Sequence, residues 1–448
     1  MAKITFYGGA GSVTGANFLL DVAGKRILID CGTHERENIC DPANHAPFPY
    51  HVKSIDALFI THAHQDHIGR VPKLLREGFE GDIYSTPATF DMTKIMFDDA
   101  LSVMNHEAKR LHCEPIYDRK DCDAAIKLWQ TREYHEPFQI GDLTVEFFEA
   151  GHILGSTMVK FSRNNRSIIF TGDLGNSPEP LLNDTEAPTG TNYLVMESVY
   201  GDRLHEERNE RANILRNAIE ETRNRAGTLL IPSFSIERTQ ILLFEIHKMM
   251  EEGKLGRIPV YLDAPLAERI TEVFRKYKNL LNAAAQEEFS RGDIFTFPGL
   301  TVVRDYDDGI HRSASPKVII AGAGMSSGGR IRSHEKRYLG DPHASVLMTG
   351  YQAPGSLGRR IQDGEKSVLI DGKNIHVQAK ISTLTGYSGH KDRDGLLQFV
   401  EDAGTSLEKV FVVMGEPKAS QFLAQRIRDF LGIDASVPNQ NDSAEINL

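Results

Sequence analysis

The fold of this chain is decided by ALFITHAHQDH, residues 57–67, in which a short apolar run is followed at once by polar side chains. Three histidines and an aspartate fall close together here, namely His62, His64, Asp66 and His67. Imidazole nitrogens and carboxylate oxygens are ligand atoms that zinc prefers in proteins. In a tight loop His62 and His64 point the same way, while Asp66 and His67 reach a neighbouring position. The stretch therefore predicts two adjacent metal sites, and a solvated histidine-rich loop is the weaker interpretation.

The same order of apolar strand and ligand-bearing loop recurs three times further along the chain: LTVEFFEA before His152, SIIF before Asp173, and ISTLTGY before His390. Ligands placed just beyond strand ends converge at one edge of a sheet, where loops carry function on a rigid scaffold. Taken alone, His152 or Asp173 would be an ordinary loop residue. Together with the histidine cluster, they are predicted to complete the metal site.

A second sequence pattern lies between these ligand loops, where apolar strands alternate with amphipathic helices. The strands are TLLIPSF, PVYLDAP, PKVIIAGAG and ASVLMTGY, and the helices are ERTQILLFEIHKMMEEG and LAERITEVFRKYKNLL. This alternation predicts a parallel, doubly wound sheet. Because His390 follows this stretch but belongs chemically with the earlier histidines, we predict that residues 203–358 are inserted between residues 1–202 and 359–448. The final segment, VPNQNDSAEINL, predicts a short polar tail that need not be ordered.

The overall charge weighs against a nucleic-acid partner. The 448 residues include 51 basic and 62 acidic side chains, a net charge of -11 with histidine neutral, whereas nucleic-acid-binding proteins usually have basic surfaces. Any such contact must come from local basic clusters. The N-terminus lacks the features of a signal peptide, and no apolar run is long enough to span a membrane. We therefore expect a cytoplasmic protein with no membrane partner.

The cysteines predict no disulfide scaffold. Cys31, Cys40, Cys113 and Cys122 are few for so long a chain and include no CxxC pair. Buried, reduced thiols are the interpretation that we favour.

Further motifs give the chain a family resemblance. LID-CG with Asp30, THAHQDH, GH with His152 and TGD with Asp173 resemble four successive motifs of the metallo-β-lactamase superfamily. ESVYGD with Glu197, GMSSGGR, GYQAPGSLGRRI and YSGHKD resemble the β-CASP branch, which processes nucleic acids. The resemblance covers nearly the whole chain and is closest to bacterial and archaeal relatives of the pre-mRNA 3′-end endonuclease. It implies an α/β fold: a metallo-β-lactamase αββα sandwich with an inserted β-CASP doubly wound α/β domain.

The resemblance also implies roles for individual residues around two Zn²⁺ ions. The implied ligands are His62, His64 and His152 for one ion, Asp66, His67 and His390 for the other, and Asp173 as a bridge between them. The implied catalytic residues are Asp66, Asp173, Glu197 and His390. Asp30 would orient the histidine loop without itself binding a metal ion, and metal sites generally need such supporting residues.

Basic residues beside two glycine-rich segments are candidates for substrate contact: Arg330 and Arg332 after GMSSGG, and Arg359 and Arg360 after GSLG. Glycines let backbone amides approach phosphate, and guanidinium groups fit its oxygens. A solvated charged helix face is the alternative interpretation of these arginines.

Two positions depart from the family pattern, because Arg360 and Met414 stand where relatives often have histidine. We expect Arg360 to pair with Glu197 or to contact phosphate.

The function that the resemblance implies is hydrolysis of single-stranded RNA by a hydroxide that bridges two zinc ions, leaving a 5′ phosphate and a 3′ hydroxyl. We expect internal cutting, because the chain ends soon after the fold closes, whereas exonucleolytic relatives carry a long C-terminal domain. Removal of nucleotides from the 5′ end remains the alternative. A thioester or lactam hydrolase, a non-catalytic RNA-processing subunit and a DNA nuclease are the competing functions. A homodimer is the default for a soluble enzyme.

Overall fold

The computed structural model describes residues 1–34, 41–205, 208–304, 309–314, 316–350, 352 and 355–448. These residues form two units. Unit 1 comprises residues 1–204 and 390–448, and unit 2 comprises residues 205–389. The middle of the chain is therefore inserted into a domain that is built from both of its ends.

Two β-sheets form the centre of unit 1. The first has the strand order β22-β1-β2-β3-β4-β5-β6 and consists of β1 (Ala2–Gly8), β2 (Asn17–Val22), β3 (Lys25–Ile29), β4 (Ala57–Phe59), β5 (Asp82–Ser85), β6 (Trp129–Thr131) and β22 (Ser443–Ile446). The second has the order β21-β20-β11-β10-β9-β8-β7 and consists of β7 (Phe138–Ile140), β8 (Leu143–Glu149), β9 (Thr157–Arg163), β10 (Arg166–Phe170), β11 (Tyr193–Met196), β20 (Lys409–Val412) and β21 (Asp434–Ser436).

Apolar side chains from both sheets make one core between them. Alternate residues of β8 are buried, which is the period of two expected for a strand with one face in a core. Phe147 from β8 packs with Phe59 from β4 and Phe6 from β1 in this core. A second core on the outer face of the second sheet joins Leu194 and Leu396. The two sheets thus form the inner layers of the predicted αββα sandwich.

Helices provide the outer layers of unit 1. They are α1 (Pro42–His45), α2 (Gln65–Ile68), α3 (Val71–Arg76), α4 (Pro87–Leu111), α5 (Arg119–Lys127), α13 (Arg393–Asp402), α14 (Pro417–Arg426) and a π-helical turn at Ile427–Leu431. The long α4 begins where Thr86 accepts the backbone N–H of Thr89, with Pro87 in its first turn. Within the described part of the chain, no helix is both long and apolar enough to cross a membrane.

Unit 2 contains the parallel sheet that the sequence predicts. Its strand order is β14-β13-β15-β12-β16-β19, every pair is parallel, and the strands are β12 (Thr228–Pro232), β13 (Val260–Asp263), β14 (Leu300–Val302), β15 (Lys317–Ala321), β16 (Ser345–Thr349) and β19 (Lys380–Leu384). The helices are α6 (Arg208–Asn224), α7 (Arg238–Glu251), α8 (Pro265–Lys276), α9 (Ala283–Arg291), α10 (Gly309–Arg312), α11 (Ile331–Tyr338) and α12 (Leu357–Gln362). A hairpin of β17 (Ser367–Ile370) and β18 (Lys373–His376) precedes β19.

The insert continues to Gly389 in the structure, beyond residue 358, where the sequence pattern placed its end. The cause is β19, which pairs in parallel with β16 along its whole length and so belongs to the sheet of unit 2. The strand pattern in this part of the chain is short, and it is separated from the earlier strands by α12 and the hairpin.

The C-terminal segment is not a loose polar tail, and that prediction is wrong. Residues Ser443–Ile446 form β22, which pairs antiparallel with β1 at the edge of the first sheet. Ile446 and Leu448 are buried, while Glu445 and Asn447, which alternate with them, are exposed. Only one face of the strand is apolar, so the segment has a polar composition although it is part of the sheet.

The cysteine prediction is wrong at one position. Cys31 and Cys122 are free and buried, but Cys113 is disulfide-bonded. Cys40 lies outside the described residues.

We predict that Ile446→Ala lowers the free energy of unfolding of unit 1 by about 2–5 kcal/mol, because it removes a buried side chain from the core. Glu445→Ala is the matched control, since Glu445 lies in the same strand and faces solvent. Thermal or urea unfolding of both variants measures the difference. Equal stability of the two variants would show that β22 does not contribute to the core.

Candidate metal centre

The polar residues that the sequence singled out lie just beyond strand ends of unit 1. Asp30 follows β3, His62 to His67 follow β4, His152 follows β8, Asp173 follows β10 and Glu197 follows β11. Because β3 runs parallel to β4 and β10 runs parallel to β11, the carboxyl ends of each pair meet at one edge. His390, from the return of the chain into unit 1, forms an isolated bridge with Gly175. The predicted convergence of ligand loops is therefore present.

The first cluster of ligand atoms combines three histidines with Asp173. His62, His64, His152 and Asp173 each offer one atom, and these atoms all lie within 4.8 Å of one another. His62 Nε2 lies 3.0 Å from His64 Nδ1, and His152 Nε2 lies 3.2 Å from the same atom. Asp173 Oδ2 lies 3.4 Å from His62 Nε2 and 3.5 Å from His152 Nε2.

These separations fit a shared cation better than they fit mutual hydrogen bonds. Burial, with the charge of neighbouring histidines, lowers the pKa of His62 and of His64 well below its ordinary value, so both rings are neutral near pH 7. A neutral imidazole has one nitrogen lone pair, and here the nitrogens of three rings face one point. Ligand atoms about 2.0–2.1 Å from a tetrahedral ion lie about 3.3 Å apart. The cluster therefore has the donors and the spacing that a tetrahedral metal requires.

The second cluster consists of Asp66, His67 and Asp173. His67 Nε2 lies 3.3 Å from Asp173 Oδ1 and 3.8 Å from Asp66 Oδ2. Among the described residues, neither His67 Nε2 nor Asp173 Oδ1 has a hydrogen-bond partner, although both atoms are buried. Buried polar atoms are normally satisfied, so two unsatisfied atoms that face each other fit the ligand atoms of a shared metal ion. Asp173 takes part in both clusters, one oxygen in each.

Asp30 holds His67 in this orientation. Its Oδ2 lies 2.8 Å from His67 Nδ1 and accepts the hydroxyl of Thr61, and its Oδ1 accepts the backbone N–H of Thr61 at 2.9 Å. With Nδ1 occupied, His67 presents Nε2 to the second cluster. Burial alone would lower the pKa of His67, but the carboxylates of Asp173, Asp30 and Asp66 raise it well above its ordinary value. The same negative charge would favour a bound cation.

Glu197 and His390 form a separate buried contact at the edge of the second cluster. His390 Nδ1 lies 3.0 Å from Glu197 Oε1, and 4.0 Å from Asp173 Oδ2. Glu197 also accepts the backbone N–H groups of Leu174 and Val199. Burial raises the pKa of Glu197. Burial opposes protonation of His390, but the charge of Glu197 raises the pKa of His390 to about 9.

Comparisons with known proteins identify the family. Residues 13–232 match the metallo-β-lactamase superfamily, residues 239–361 the β-CASP domain, and residues 374–438 a Zn-dependent metallo-hydrolase RNA specificity domain. Ribonuclease TTHA0252 of Thermus thermophilus is 35% identical to this chain and aligns with 92% of it and 93% of the relative. This chain belongs to the β-CASP family of the metallo-β-lactamase superfamily.

Two further comparisons extend the likeness. The transcription termination factor FttA of Methanosarcina mazei is 30% identical over 96% of this chain and 70% of its own length. A protein of unknown function from Enterococcus faecalis V583 has a similar fold, with a TM-score of 0.59 at 13% identity over 99% of both chains. The family assignment and the predicted fold are therefore confirmed.

Residues that sequence analysis missed support the loop that carries His152. The hydroxyl of Ser156 accepts the backbone N–H of His152 at 3.0 Å, and Glu149 accepts the N–H of Gly151 at 2.8 Å. Thr86 donates its hydroxyl to the carbonyl of Gly155. The φ of Gly155 is +78°, a left-handed conformation that favours glycine. Of these, only Glu149 belongs to a segment quoted in the sequence analysis, LTVEFFEA, and its carboxyl group carried no signal of this role.

The arginines that the sequence proposed as substrate contacts all make ion pairs within unit 2. The pairs are Arg330 with Asp263, Arg332 with Asp371, Arg359 with Asp363, and Arg360 with Glu365. Arg360 and Glu197, which the sequence paired with each other, each have partners inside their own unit. The two glycine-rich segments do come together, because Gly358 donates its N–H to the carbonyl of Met325.

Met414, where β-CASP relatives often have histidine, is a core residue. It is buried in the core between the two sheets of unit 1. Its sulfur lies so close to Gly9 that a Cβ there would be 2.5 Å away. The backbone carbonyl of Met414 accepts the N–H of Ser198, the residue after Glu197. Met414 therefore contributes packing and a backbone contact behind Glu197.

We predict that Asp30→Asn lowers metal affinity by about 10–100-fold, because the support that orients His67 loses its charge and one acceptor. Asp21→Asn is the matched control, since Asp21 pairs with Arg26 at the surface. Competition with a chromogenic chelator measures the affinity of both variants. An affinity within error of the native protein would contradict the role of Asp30.

A second prediction concerns the stability of unit 1 against pH. Burial raises the pKa of Glu149 from 4.5 to about 8, so the folded protein keeps a proton there that the unfolded chain loses. The stabilisation is complete below about pH 4.5 and is lost as pH rises through about 8. Glu149→Gln cannot ionise, so its melting temperature relative to the native protein should rise by several degrees between pH 6 and pH 9.

The control for this experiment is Glu136→Gln, at an exposed position of the same unit. Its melting temperature relative to the native protein should stay constant over the same range. A constant difference for Glu149→Gln as well would mean that Glu149 is ionised in the folded protein.

Proposed function

We propose that this β-CASP protein is a two-zinc ribonuclease that hydrolyses phosphodiester bonds inside single-stranded RNA. The observation that supports the proposal most strongly is the pair of ligand clusters that share Asp173. Each oxygen of this buried carboxylate faces a different cluster. Asp173 would offer one oxygen to each of two metal ions, and ions held in this way would stabilise the charge that develops in a displacement at phosphorus.

The donor atoms favour zinc. The first cluster would hold an ion through His62, His64, His152 and Asp173, and the second through Asp66, His67, Asp173 and His390. Imidazole with carboxylate suits zinc, whereas magnesium and calcium prefer oxygen ligands throughout. When bound, the ions would lower the pKa of a water molecule and offset the negative charge of the phosphate.

The acidic residues would orient and deprotonate the attacking water. Burial raises the pKa of Asp66 to about 6, and a bound metal ion would keep this carboxylate ionised and able to accept a proton. Asp173 stays ionised, because the charge of His67 outweighs the effect of burial, and its pKa lies well below the ordinary value. Asp66 would take the proton and pass it to the leaving 3′ oxygen, while Asp173 would help to orient the water in line with phosphorus.

His390 would act through Nε2, because Glu197 holds Nδ1. A single nitrogen cannot bind a metal and donate a proton at the same time. We assign Nε2 to the second cluster as a ligand, and we assign Glu197 to fixing the ring through Nδ1. Glu197 is suited to this role because it is completely buried and held by two backbone N–H groups.

RNA is the favoured substrate for two reasons. The relative of Thermus thermophilus, similar over nearly its whole length, is named a ribonuclease, and residues 374–438 match an RNA specificity domain.

In unit 2 the two glycine-rich segments, which meet at Met325 and Gly358, would contact the RNA backbone. Arg330, Arg332, Arg359 and Arg360 remain predicted contacts, each of which would exchange its carboxylate partner for phosphate. We place the activity in the cytoplasm, and a homodimer stays a prediction.

Similarity to a protein named a transcription termination factor, from Methanosarcina mazei, favours a second candidate role in termination, which we propose would proceed by cutting the nascent transcript. This role uses the same chemistry on RNA that emerges from a polymerase. Stalled elongation complexes would release shorter transcripts when the native protein is added. Release that persists with His64→Ala would contradict a role based on cleavage.

The decisive experiment uses single-stranded RNA of uniform length labelled at its 5′ end, with DNA of the same sequence in parallel. We expect the native protein to give discrete internal RNA fragments and to leave the DNA intact. His64→Ala or a chelator should abolish cutting, because either removes a metal. His106→Ala, which changes an exposed histidine outside the clusters, is the matched control and should cut normally.

The other outcomes distinguish the alternatives. Release of single labelled nucleotides would contradict internal cutting and would indicate a 5′ exonuclease. Cutting of DNA alone would contradict the assignment of RNA. Intact RNA and DNA with a protein that holds two zinc ions would favour a thioester or lactam hydrolase, and a protein that binds RNA without zinc would favour a non-catalytic subunit.

A further inference from the structure

A buried carboxyl group in unit 2 has no part in the proposed metal chemistry. Glu335 lies on α11, is completely buried and has no ion-pair partner among the described residues. One of its oxygens accepts the hydroxyl of Ser326 at 2.5 Å, and the other has no hydrogen-bond partner in the described part of the chain. Burying a carboxyl group with so few partners costs free energy of folding, so its presence needs an explanation.

Ser326 lies in the middle of the loop Gly322–Arg330, which follows β15 and contains the GMSSGGR segment. Its φ is +56°, a left-handed conformation that is unfavourable for residues other than glycine. Gly329, with φ of +70°, passes so near the loop start that a Cβ there would lie 2.4 Å from the carbonyl oxygen of Gly322. The loop is therefore tightly folded around a strained serine, which needs an outside contact to stay in place.

Two further contacts tie this loop to the second glycine-rich segment. Gln352 donates its side-chain amide to the carbonyl of Gly324 at 3.0 Å. Gly358 donates its backbone N–H to the carbonyl of Met325 at 3.1 Å. Glu335 contacts the loop from α11, while Gln352 and Gly358 contact it from the side of α12. A change at Glu335 would therefore alter both segments that are proposed to contact the RNA backbone.

The protonation state of Glu335 decides whether a charge is buried beneath the loop. Burial raises the pKa of Glu335 to about 8, although the hydrogen bond from Ser326 and the charge of Arg332 oppose this. Arg330 and His334, the other charged or titratable groups at this end of α11, are both paired with Asp263. At neutral pH Glu335 is thus a neutral acid. Ionisation would place an uncompensated charge in the interior and weaken the base of the loop.

We propose that Glu335 is a positioning residue for RNA binding, which holds Ser326 and thereby keeps the loop Gly322–Arg330 in its RNA-binding conformation. This inference rests on the proposed function for its substrate. It assigns to Glu335 no contact with RNA and no part in the chemical step. Loss of Glu335 should therefore weaken RNA binding and raise KM, while kcat and the zinc content stay close to native.

The test compares Glu335→Ala and Glu335→Gln in the full chain. Glutamine keeps an oxygen for Ser326 and cannot ionise, whereas alanine removes the contact. Glu287→Gln, at an exposed position of α9, is the matched control. Binding of labelled single-stranded RNA is measured in the His64→Ala background, so that the RNA is not consumed. At pH 7 we expect Glu335→Ala to bind about tenfold more weakly and Glu335→Gln to bind as the parent does.

The pH dependence gives a second, independent arm. The parent should lose RNA affinity as pH rises from 7 through about 8 to 9, because ionisation of Glu335 leaves an uncompensated buried charge beneath the loop. Glu335→Gln should keep its affinity relative to the control. If Glu335→Ala does not fold, this arm alone decides the question, since an identical pH profile for the parent and Glu335→Gln would overturn the proposal.

Hydrogen exchange separates failure of this inference from failure of the proposed function, because it needs no RNA. Peptides that span residues 322–330 should exchange faster in Glu335→Ala than in the parent. Unchanged exchange would overturn the positioning role, whether or not the protein cuts RNA. Faster exchange with unchanged RNA affinity would overturn the link to RNA. If no variant binds RNA, the RNA part fails together with the proposed function, and exchange still reports whether Glu335 holds the loop.

Discussion

The carboxylate of Asp173 lies between two groups of imidazoles, and unit 1 is arranged around this contact. One oxygen faces His67, and the other faces His62 and His152. Removing so many ionisable groups from water is costly unless each charge has a partner or a ligand. The strand ends supply the rigidity that this requires, and Asp30 and Glu197 fix the outward-facing ring nitrogens of His67 and His390. The two sheets thus serve as a frame for one small, strongly polar volume.

The ligand clusters could be predicted from sequence, but the state of the arginines could not. His62, His64, Asp66 and His67 lie so close along the chain that their convergence needs little tertiary information. The partner of Arg330 is Asp263, which lies 67 positions away and reaches it only through the sheet of unit 2. Arg359 and Asp363 are one helical turn apart, and their pairing could have been inferred from spacing alone. Residue type therefore indicated charge and left open whether that charge was already paired.

Other features could not be predicted from the sequence because they depend on which residues are buried. The C-terminal segment has a polar composition although Ala444, Ile446 and Leu448 pack against the core. Glu335 and Glu149 resemble ordinary surface glutamates in sequence, yet burial raises the pKa of each to about 8. The end of the insert was placed too early because β19 is short and is identified as part of unit 2 only by its pairing with β16. These features depend on neighbours that are distant along the chain.

The insertion of unit 2 affects the order in which the molecule can be built on the ribosome. Residues 205–389 are continuous, so they can fold as soon as they leave the exit tunnel. In unit 1, β11 pairs with β20, which is made only after the whole insert, and β1 pairs with β22 near the end of the chain. His390 is also synthesised after the insert. The nascent protein therefore carries an incomplete set of candidate ligands throughout most of its synthesis, and the candidate metal centre is among the last parts to form.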